Sequence, residues 1–308
     1  MKHFISVTDA TQQEFEQLLT LTGTLKEKNK NHISYQPLSG KKLAMIFTKS
    51  STRTRVSFEV GFYELGGYPL FLSSDDIQLG RGETIYDTAN VLSRFVDGIM
   101  IRTYAHQDVL DLAKYGSVPV INGLTDYMHP CQAMADLFTV YEHKGTLKGL
   151  KLAYVGDGNN VTHSLLQACA MAGMDMSVAT PEGYQCAQEI VDEAKSIAKK
   201  TGSTITITTD PAEAVSGADA VYSDTWVSMG QESEKEERIK IFMPYQVNQA
   251  LFSQAKSDAI FLHCLPAYRG LEVTPDVIDS PASVIFDEAE NRLHAQKAVM
   301  TMLMGGAL

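Results

Sequence analysis

Short apolar runs alternate with amphipathic stretches along most of the chain. The apolar runs predict ten β-strands, at residues 43–47, 70–72, 98–101, 119–121, 151–155, 176–179, 204–208, 220–223, 259–263 and 283–286. The amphipathic stretches predict helices, among them residues 53–65, 84–95, 107–114, 131–143, 163–172 and 187–200. Strands that alternate with helices are typical of parallel sheets covered by helices on both faces. Two sheets of about five strands fit ordinary domain sizes better than one sheet of ten, so we expect two α/β domains.

A change of pattern near residues 139–149 predicts the boundary between the domains. A long helix ends there in a polar stretch with two glycines, and a new strand follows. We therefore expect a first domain at 1–140 and a second at 148–288. Residues 291–304 follow the last predicted strand and have the apolar spacing of a terminal helix, which must pack on a domain that is already built.

Composition narrows the class of protein. The 308 residues carry a formal net charge of −11, which argues against a nucleic-acid partner because phosphate-backbone binding needs a large basic surface. The sequence contains no run of about 18 apolar residues, so no membrane span is expected, and no secretory signal is visible. The four cysteines fit neither a zinc site nor a disulfide scaffold and are expected to be free thiols in a reducing cytoplasm. The charged run at 232–240 predicts a solvated loop or helix.

Polar clusters follow six of the predicted strands directly or within a few residues. They begin at Ser51, Arg102, His129, Asn159, Asp224 and Cys264. Ligands of open parallel sheets bind outside the carboxyl ends of the strands. Clusters from two half-sheets therefore predict one active-site cleft between the two domains.

The segment Ser51-Thr52-Arg53-Thr54-Arg55 joins a predicted strand to a predicted helix. The first turn of a helix offers free backbone N–H groups and the positive end of the dipole, and an Arg adds a forked cation suited to phosphate oxygens. Phosphate binding is one interpretation. Simple N-capping by Ser51 or Thr52 beside solvated arginines is the other.

The same segment, with Phe47 to Ser50 before it, resembles the carbamoyl-phosphate signature shared by aspartate and ornithine carbamoyltransferases. His129-Pro130-Cys131-Gln132 resembles the second carbamoyl-phosphate motif of that family. Two more segments resemble motifs particular to the ornithine enzymes, namely 224–230 (DTWVSMG) and 263–266 (HCLP). The four motifs stand in family order and at family-like spacing over most of the chain.

The resemblance implies a carbamoyl-phosphate site in the first domain. It makes Ser51, Thr52, Arg53 and Thr54 phosphate ligands, and Arg102, His129 and Gln132 contacts of the carbamoyl group. Arg292 resembles a family arginine near the start of the last helix, residues 290–308, which is expected to return to the first domain. For Arg55, ligand contact and an ion pair or packing on the helix stay equally open. Gln78, in a loop-like segment, would reach carbamoyl phosphate in a neighbouring subunit of a homotrimer.

The resemblance also implies an ornithine site in the second domain. Its residues would be Asn160, Asp224, Ser228, Met229, Cys264 and Leu265, with Asp224 as the anion for an α-ammonium group. Arg102, His129 and Cys264 would form the catalytic group, with no metal and no cofactor. Cys264 could also be an inert buried thiol. His263 is not expected to act as its base, because neighbours on a strand point to opposite faces.

The expected reaction is transfer of the carbamoyl group of carbamoyl phosphate to the side-chain amine of L-ornithine, within arginine metabolism. An aspartate enzyme should lack the two ornithine motifs, and a putrescine enzyme has little use for an amino-acid clamp. A non-catalytic binding protein on the same fold should have lost Arg53, Arg102 or His129. A nicotinamide enzyme should show a third glycine after Gly156 and Gly158, where the chain has Val161.

Overall fold

The computed structural model describes residues 1–228, 230 and 232–305. The chain forms two compact units, each with its own parallel sheet. One unit contains Met1–Phe138 together with the end of the chain from Glu290 onward, and the other contains Thr139–Ala289. The expected α/β fold with two domains is confirmed.

The first unit has a four-stranded sheet in the order β2-β1-β3-β4. Its strands are β1 (Lys42–Phe47), β2 (Tyr68–Ser73), β3 (Gly98–Arg102) and β4 (Val120–Leu124). Its helices are α1 (Gln12–Lys30), α2 (Thr52–Glu64), α3 (Ile85–Leu92), α4 (His106–Tyr115) and the first part of α5 (Pro130–Lys144), which continues into the other unit from Thr139. Strands β1 and β3 are buried along almost their whole length, which is typical of a parallel sheet covered on both faces. At the edge of β4, the backbone of Phe4 exchanges hydrogen bonds with Val120 and Asn122.

The second unit has a five-stranded sheet in the order β7-β6-β5-β8-β9. Its strands are β5 (Lys151–Val155), β6 (Asp175–Ala179), β7 (Ile205–Thr208), β8 (Ala220–Tyr222) and β9 (Ile260–Leu262). Its helices are α6 (Asn160–Ala172), α7 (Gln188–Thr201), α8 (Pro211–Val215), α9 (Lys235–Phe242), α10 (Gln249–Phe252) and α11 (Pro275–Ile278). Helix α6 is buried over nearly all of its length. The last helix, α12 (Ile285–Met304), passes from this unit into the first.

Both sheets have a point where the strand order reverses. In the first unit the chain moves from β1 outward to β2 and then returns to β3 on the other side of β1. In the second it moves from β5 through β6 to β7 and then returns to β8 on the other side of β5. The crevice at the carboxyl ends of such a pair of strands is where open α/β sheets bind ligands.

The prediction of a strand at 283–286 was wrong. Ser283 makes only an isolated bridge to Phe261, and α12 begins at Ile285, six residues before the predicted terminal helix. Asp287 and Glu288 lie in its first turn, where negative side chains are favourable near the positive end of the helix dipole. Within the described residues, no helix is both long and apolar enough to cross a membrane.

Candidate active site in two half-sites

The first half-site lies where β1 and β3 end. Ser51 follows β1 in an extended conformation and caps α2, because its Oγ accepts a hydrogen bond from the backbone N–H of Thr54 at 3.2 Å. Arg102 is the last residue of β3, and its side chain is buried. The strand–turn–helix arrangement expected at 51–55 is therefore present, with its open helix end beside an arginine.

Four buried side chains from four elements meet in this half-site. Thr54 Oγ1 accepts hydrogen bonds from Nη1 of Arg102 at 3.3 Å and from Nη2 of Arg292 at 3.1 Å. Arg292 also donates through Nη1 to Oε1 of Gln132 at 2.6 Å. Two buried guanidinium groups thus converge on the hydroxyl of Thr54, and forked cations of this kind suit an anion such as phosphate.

His129 lies directly before α5 and is buried. Burial lowers the pKa of its imidazole well below the usual value, and the positive charges of Arg292, Arg102 and Lys49 lower it further. The ring is therefore neutral at physiological pH. A neutral imidazole can donate a hydrogen bond to a carbonyl oxygen without adding a third positive charge to the cluster.

The remaining predicted residues of this unit are more exposed. Thr52 is exposed and Arg53 is half-buried. Arg55 stacks on Phe71, with its guanidinium carbon 3.6 Å from the ring centroid, and pairs with Glu59 at 3.3 Å. An open pocket of about 430 Å³ is lined by Phe47, Thr48, Ser50, Ser51, Thr52, Arg55, Phe71, Ser73, Ser74 and Asp75.

Arg55 thus has the ion pair and packing of the structural interpretation while it also lines the pocket at the helix start. Gln78 is exposed and begins a single turn of 3₁₀-helix, Gln78–Arg81. Its side chain is therefore accessible on the surface of the first unit.

The second half-site lies where β5 and β8 end. Asn159 caps α6 by accepting hydrogen bonds from the backbone N–H groups of Val161 at 3.0 Å and Thr162 at 3.2 Å. A Cβ at Gly158 would lie 2.4 Å from the backbone nitrogen of Cys186, so only glycine fits this turn. Close backbone packing therefore explains why residue 158 is glycine, and a dinucleotide site is not needed to explain it.

Asp224 is the centre of this half-site and is buried. Its carboxylate accepts hydrogen bonds from Nδ2 of Asn159 at 2.8 Å, from the backbone N–H of Thr225 at 2.7 Å and from Sγ of Cys264 at 3.1 Å. The predicted pair of Asp224 and Cys264 is therefore in direct contact. Asn159, which the sequence analysis did not select, makes the amide contact.

Three other predicted residues lie within four positions of Asn159, Asp224 or Cys264 in the sequence. Asn160 is the first residue of α6 and is half-buried, as is Ser228. Leu265 follows Cys264 with a backbone φ of 58°, a left-handed conformation that is rare for leucine. Met229 lies outside the described residues.

His263 is held by two glutamates. Its Nδ1 accepts a hydrogen bond from the backbone N–H of Leu265 at 2.9 Å, so Nε2 carries the proton and donates to Glu272 at 3.2 Å. Its backbone N–H donates to Glu288 at 2.8 Å. The reason given for excluding His263 as a base was wrong, because β9 ends at Leu262 and strand alternation does not apply.

Both ring nitrogens of His263 are nevertheless occupied by these bonds. Asp224, His263 and Cys264 offer ligand atoms within 4.8 Å of one another, a grouping that could hold a metal ion. A metal bound through the ring would have to displace the bond to Leu265 or the bond to Glu272.

An ion pair that the sequence analysis missed supports the segment after Asp224. Arg238, inside the charged run predicted to be solvated, is buried. It pairs with Asp157, donates through Nε to the carbonyl of Trp226 at 2.5 Å, and has aromatic rings beside its guanidinium. Burial raises the pKa of Asp157 to about 6, with Arg238 opposing and Asp224 adding to the rise. No spacing in the charged run distinguishes Arg238 from its exposed neighbours.

Two family models match the chain, one over most of each unit, and the second also covers the last helix up to residue 303. Residues 2–142 match the carbamoyl-P binding domain of aspartate/ornithine carbamoyltransferases, and residues 148–303 match the Asp/Orn binding domain. The chain belongs to the aspartate/ornithine carbamoyltransferase family.

Individual members of this family are similar over their full length. An ornithine carbamoyltransferase from Carboxydothermus hydrogenoformans is 60% identical over 99% of this chain and 98% of that protein. One from Caldicellulosiruptor saccharolyticus is 58% identical over the whole of both chains. The solved ornithine carbamoyltransferase from Pyrococcus furiosus superposes with a TM-score of 0.96 at 55% identity, covering 100% of this chain and 98% of that one.

Proposed function

We propose that this chain transfers the carbamoyl group of carbamoyl phosphate to the side-chain amine of L-ornithine, giving L-citrulline and phosphate. The observation that carries the proposal is the buried cluster of Thr54, Arg102, Gln132 and Arg292 beside a neutral His129. Thr54, Arg102 and Gln132 lie in the residues that match a carbamoyl-P binding domain, as does His129. The relatives at 58–60% identity are ornithine carbamoyltransferases by name, which supports ornithine over aspartate.

Carbamoyl phosphate has two ends that the first half-site can serve separately. Ser51, Thr52, Arg53 and Thr54 bind the phosphate at the start of α2, where the helix dipole and free N–H groups favour an anion. Arg102, His129 and Gln132 face the carbamoyl group, and Arg292 holds Thr54 and Gln132 in place while it adds positive charge.

Ornithine carries an α-amino acid end and a side-chain amine. Asp224 and Asn160 bind the α-ammonium end, with Ser228 and Met229 beside them. Cys264 and the backbone of Leu265 lie beside the side-chain amine. The carboxylate of Asp224 is already oriented by Asn159 and Thr225, so little ordering is needed when the cation binds.

The chemistry needs no covalent intermediate. The neutral amine attacks the carbamoyl carbon, a C–N bond forms, the bond from that carbon to the phosphate oxygen breaks, and the amine proton leaves with phosphate. Arg102 and His129 stabilise the negative charge that develops on the carbamoyl oxygen. Desolvation and nearby arginines lower the pKa of the amine from its ordinary value near ~10.4, which favours the reactive form.

A panel of amine acceptors tests the assignment. Citrulline-type product is measured by a ureido colour reaction with ornithine, putrescine and aspartate at matched concentrations. Ornithine should be used far better, because each acceptor that lacks the α-amino acid end or the alkyl amine leaves buried polar groups unpaired at about 1–3 kcal/mol each. A putrescine specificity constant equal to that of ornithine would contradict the proposal.

The proposal includes a place in arginine metabolism, a cytoplasmic location and a homotrimer with active sites shared between subunits. Exposed apolar side chains on the first unit support association with further copies. Val56 and Tyr63 on α2 are 51% and 72% exposed, and Phe95 after α3 is 67% exposed. Gln78, also exposed, is the residue that would enter the site of a neighbour.

Complementation tests the shared site. Arg53→Ala and Gln78→Ala are each expected to be impaired. A mixed ring contains one site with an intact Arg53 from one chain and an intact Gln78 from the next, so co-refolding should restore up to about a third of the sites by symmetry. Native mass spectrometry verifies that mixed rings formed. If verified mixed rings show only the summed residual activity of the two variants, Gln78 acts within its own chain or not at all.

A further inference from the structure

Lys49 is a buried lysine beside the first half-site that has no role so far. It lies between β1 and Ser51, and it is only 4% exposed. Its Nζ lies 2.9 Å from Oδ1 of Asp126 and 4.7 Å from the centroid of the Tyr104 ring. Burying an ammonium group is costly unless the geometry of its partners is good. The contact is therefore expected to have a geometric function rather than to add stability.

Three loops at the carboxyl end of the sheet meet at this lysine. They follow β1, β3 and β4. The backbone N–H of Thr48 donates to the carbonyl of Arg102 at 3.0 Å, which joins the first loop to the last residue of β3, where the second loop starts. The N–H of Asp126 donates to the carbonyl of Tyr104 at 3.0 Å, which joins the third to the second. The ion pair of Lys49 and Asp126 joins the first loop directly to the third, across the ring of Tyr104.

Each outer loop carries one end of the proposed carbamoyl-phosphate site. Ser51 stands two residues after Lys49, and His129 stands three residues after Asp126. The third loop is stiff, because Thr125 Oγ1 accepts hydrogen bonds from the backbone N–H groups of Tyr127 at 3.3 Å and Met128 at 3.1 Å. A displacement of Asp126 is therefore transmitted to His129.

We propose that Lys49 is a positioning residue for carbamoyl transfer, which through Asp126 and Tyr104 sets the spacing between the phosphate-binding turn and His129. The inference rests on the proposed function. The spacing matters because the phosphate is held by one loop and the carbamoyl oxygen by the other. A misplacement of about 1 Å at a reacting centre can cost about 10²-fold in rate.

Four variants test this role: Lys49→Met, Lys49→Arg, Asp126→Asn and the double variant Lys49→Met/Asp126→Asn. Citrulline formation is measured for kcat and both KM values, inorganic phosphate as inhibitor reports phosphate binding, and thermal melting reports the fold. Lys49→Met should lower kcat about 10- to 100-fold while the KM for ornithine and phosphate inhibition stay within about threefold.

Asp126→Asn should reproduce most of the loss, and the double variant should be no worse than the worse single variant, because both remove one contact. Lys49→Arg should recover part of kcat. The matched control is Lys41→Met, which removes a more exposed lysine from its pair with Asp97 at 3.2 Å in the same unit and should leave kcat unchanged.

Several outcomes would overturn the inference. Phosphate inhibition lost in Lys49→Met but kept in Asp126→Asn would make Lys49 a direct phosphate ligand. A lower melting temperature with unchanged kcat would make the pair purely structural. Additive losses of kcat in the double variant would show that Lys49 and Asp126 act independently, which also contradicts the inference. If Lys49→Met does not fold, Asp126→Asn decides alone, since its side chain is 58% exposed and its removal is tolerated more easily. Wild-type protein that makes no citrulline in the same assay would instead contradict the proposed function.

Discussion

The two half-sites stand at equivalent points of their sheets and have opposite charge. In the first unit the crevice at β1 and β3 is built around the cations Arg102, Arg292 and Lys49. In the second unit the crevice at β5 and β8 is built around the carboxylates of Asp157 and Asp224. The first suits a phosphate ester and the second an ammonium group. The net charge of −11, which argues against a nucleic-acid partner, gave no sign of the cationic site inside the chain.

The same physical cause shifts the titrating group of each half-site toward its neutral form. Burial lowers the pKa of His129, and the surrounding cations act in the same direction. Burial raises the pKa of Asp157 to about 6, but here Arg238 acts against burial. His129 is therefore neutral throughout the physiological range, whereas Asp157 loses its charge within reach of that range. The second half-site should respond to pH and the first should not.

Removing a cation from the first half-site should have the largest effect on kcat. Arg102→Ala deletes the buried donor that we propose stabilises the developing oxyanion, and Thr54 loses one of its two guanidinium partners. We expect kcat to fall about 10²- to 10³-fold, the range for loss of one such donor. Steady-state citrulline formation measures it.

Arg55→Ala is the matched control for Arg102→Ala. Arg55 is exposed, stacks on Phe71 and pairs with Glu59. An exposed pair contributes little, so kcat should change by less than about fivefold. A loss as large as that of Arg102→Ala would show that Arg55 is a ligand contact and that the cationic half-site extends along α2.

Periodicity was sufficient to predict most of the fold, and its failures have physical causes. Nine of the ten predicted strands are present, because buried parallel strands are continuous apolar runs. Residues 283–286 are equally apolar, but only a three-dimensional neighbour decides between a strand and the start of a helix. Helix α1 was not predicted, although Thr11 and Glu14 form the capping box that marks its start.

Predicting the site depended on whether a residue is distinctive in the sequence. His129 and Asp224 stand inside recognisable motifs, and Arg102 directly follows a predicted strand. Arg238 has no such mark, and Lys49 lies inside the first motif without a predicted role, since a buried lysine or arginine is identical in sequence to a solvated one. Asn160 was predicted from the family resemblance and stays a prediction, whereas the contact of Asn159 with Asp224 was not predicted, because the position of Asn159 as the cap of α6 depends on a helix start that the sequence alone does not fix.

The pH response of the second half-site is the next largest effect. The folded pKa of Asp157, about 6, is above its ordinary 3.8, so its carboxylate is lost as pH falls through 6. The contact with Arg238, which holds the Trp226 carbonyl, then weakens. L-Norvaline, which has the amino-acid end of ornithine but no side-chain amine, should bind up to about tenfold more weakly at pH 5 than at pH 7. Calorimetry in the presence of carbamoyl phosphate measures this.

The direction in which acid changes stability distinguishes weaker L-norvaline binding from acid unfolding. A raised folded pKa means that the native protein binds the proton more tightly than the unfolded chain, so acidification from pH 7 to 5 favours the native state as far as Asp157 is concerned. Asp157→Asn should bind L-norvaline weakly at both pH values, without a step near 6. A step that persists in Asp157→Asn would assign the titration to another group.

Substitutions of Asn159 should have the smallest effect on activity, and they separate the two roles of this residue. Its Oδ1 caps α6 and its Nδ2 donates to Asp224 at 2.8 Å. Serine is an equally good N-cap but has no amide to donate, so Asn159→Ser should leave the free energy of unfolding within about 0.5 kcal/mol. It should raise the KM for ornithine about fivefold, the equivalent of one hydrogen bond of about 1 kcal/mol.

Asn159→Ala, which loses both roles, should show the same KM and an unfolding free energy lower by about 1 kcal/mol. Urea unfolding and ornithine saturation curves measure the two quantities. A KM that is unchanged in both variants, with a rise in Asn160→Ala instead, would return the amide contact to Asn160 and leave Asn159 as a helix cap alone.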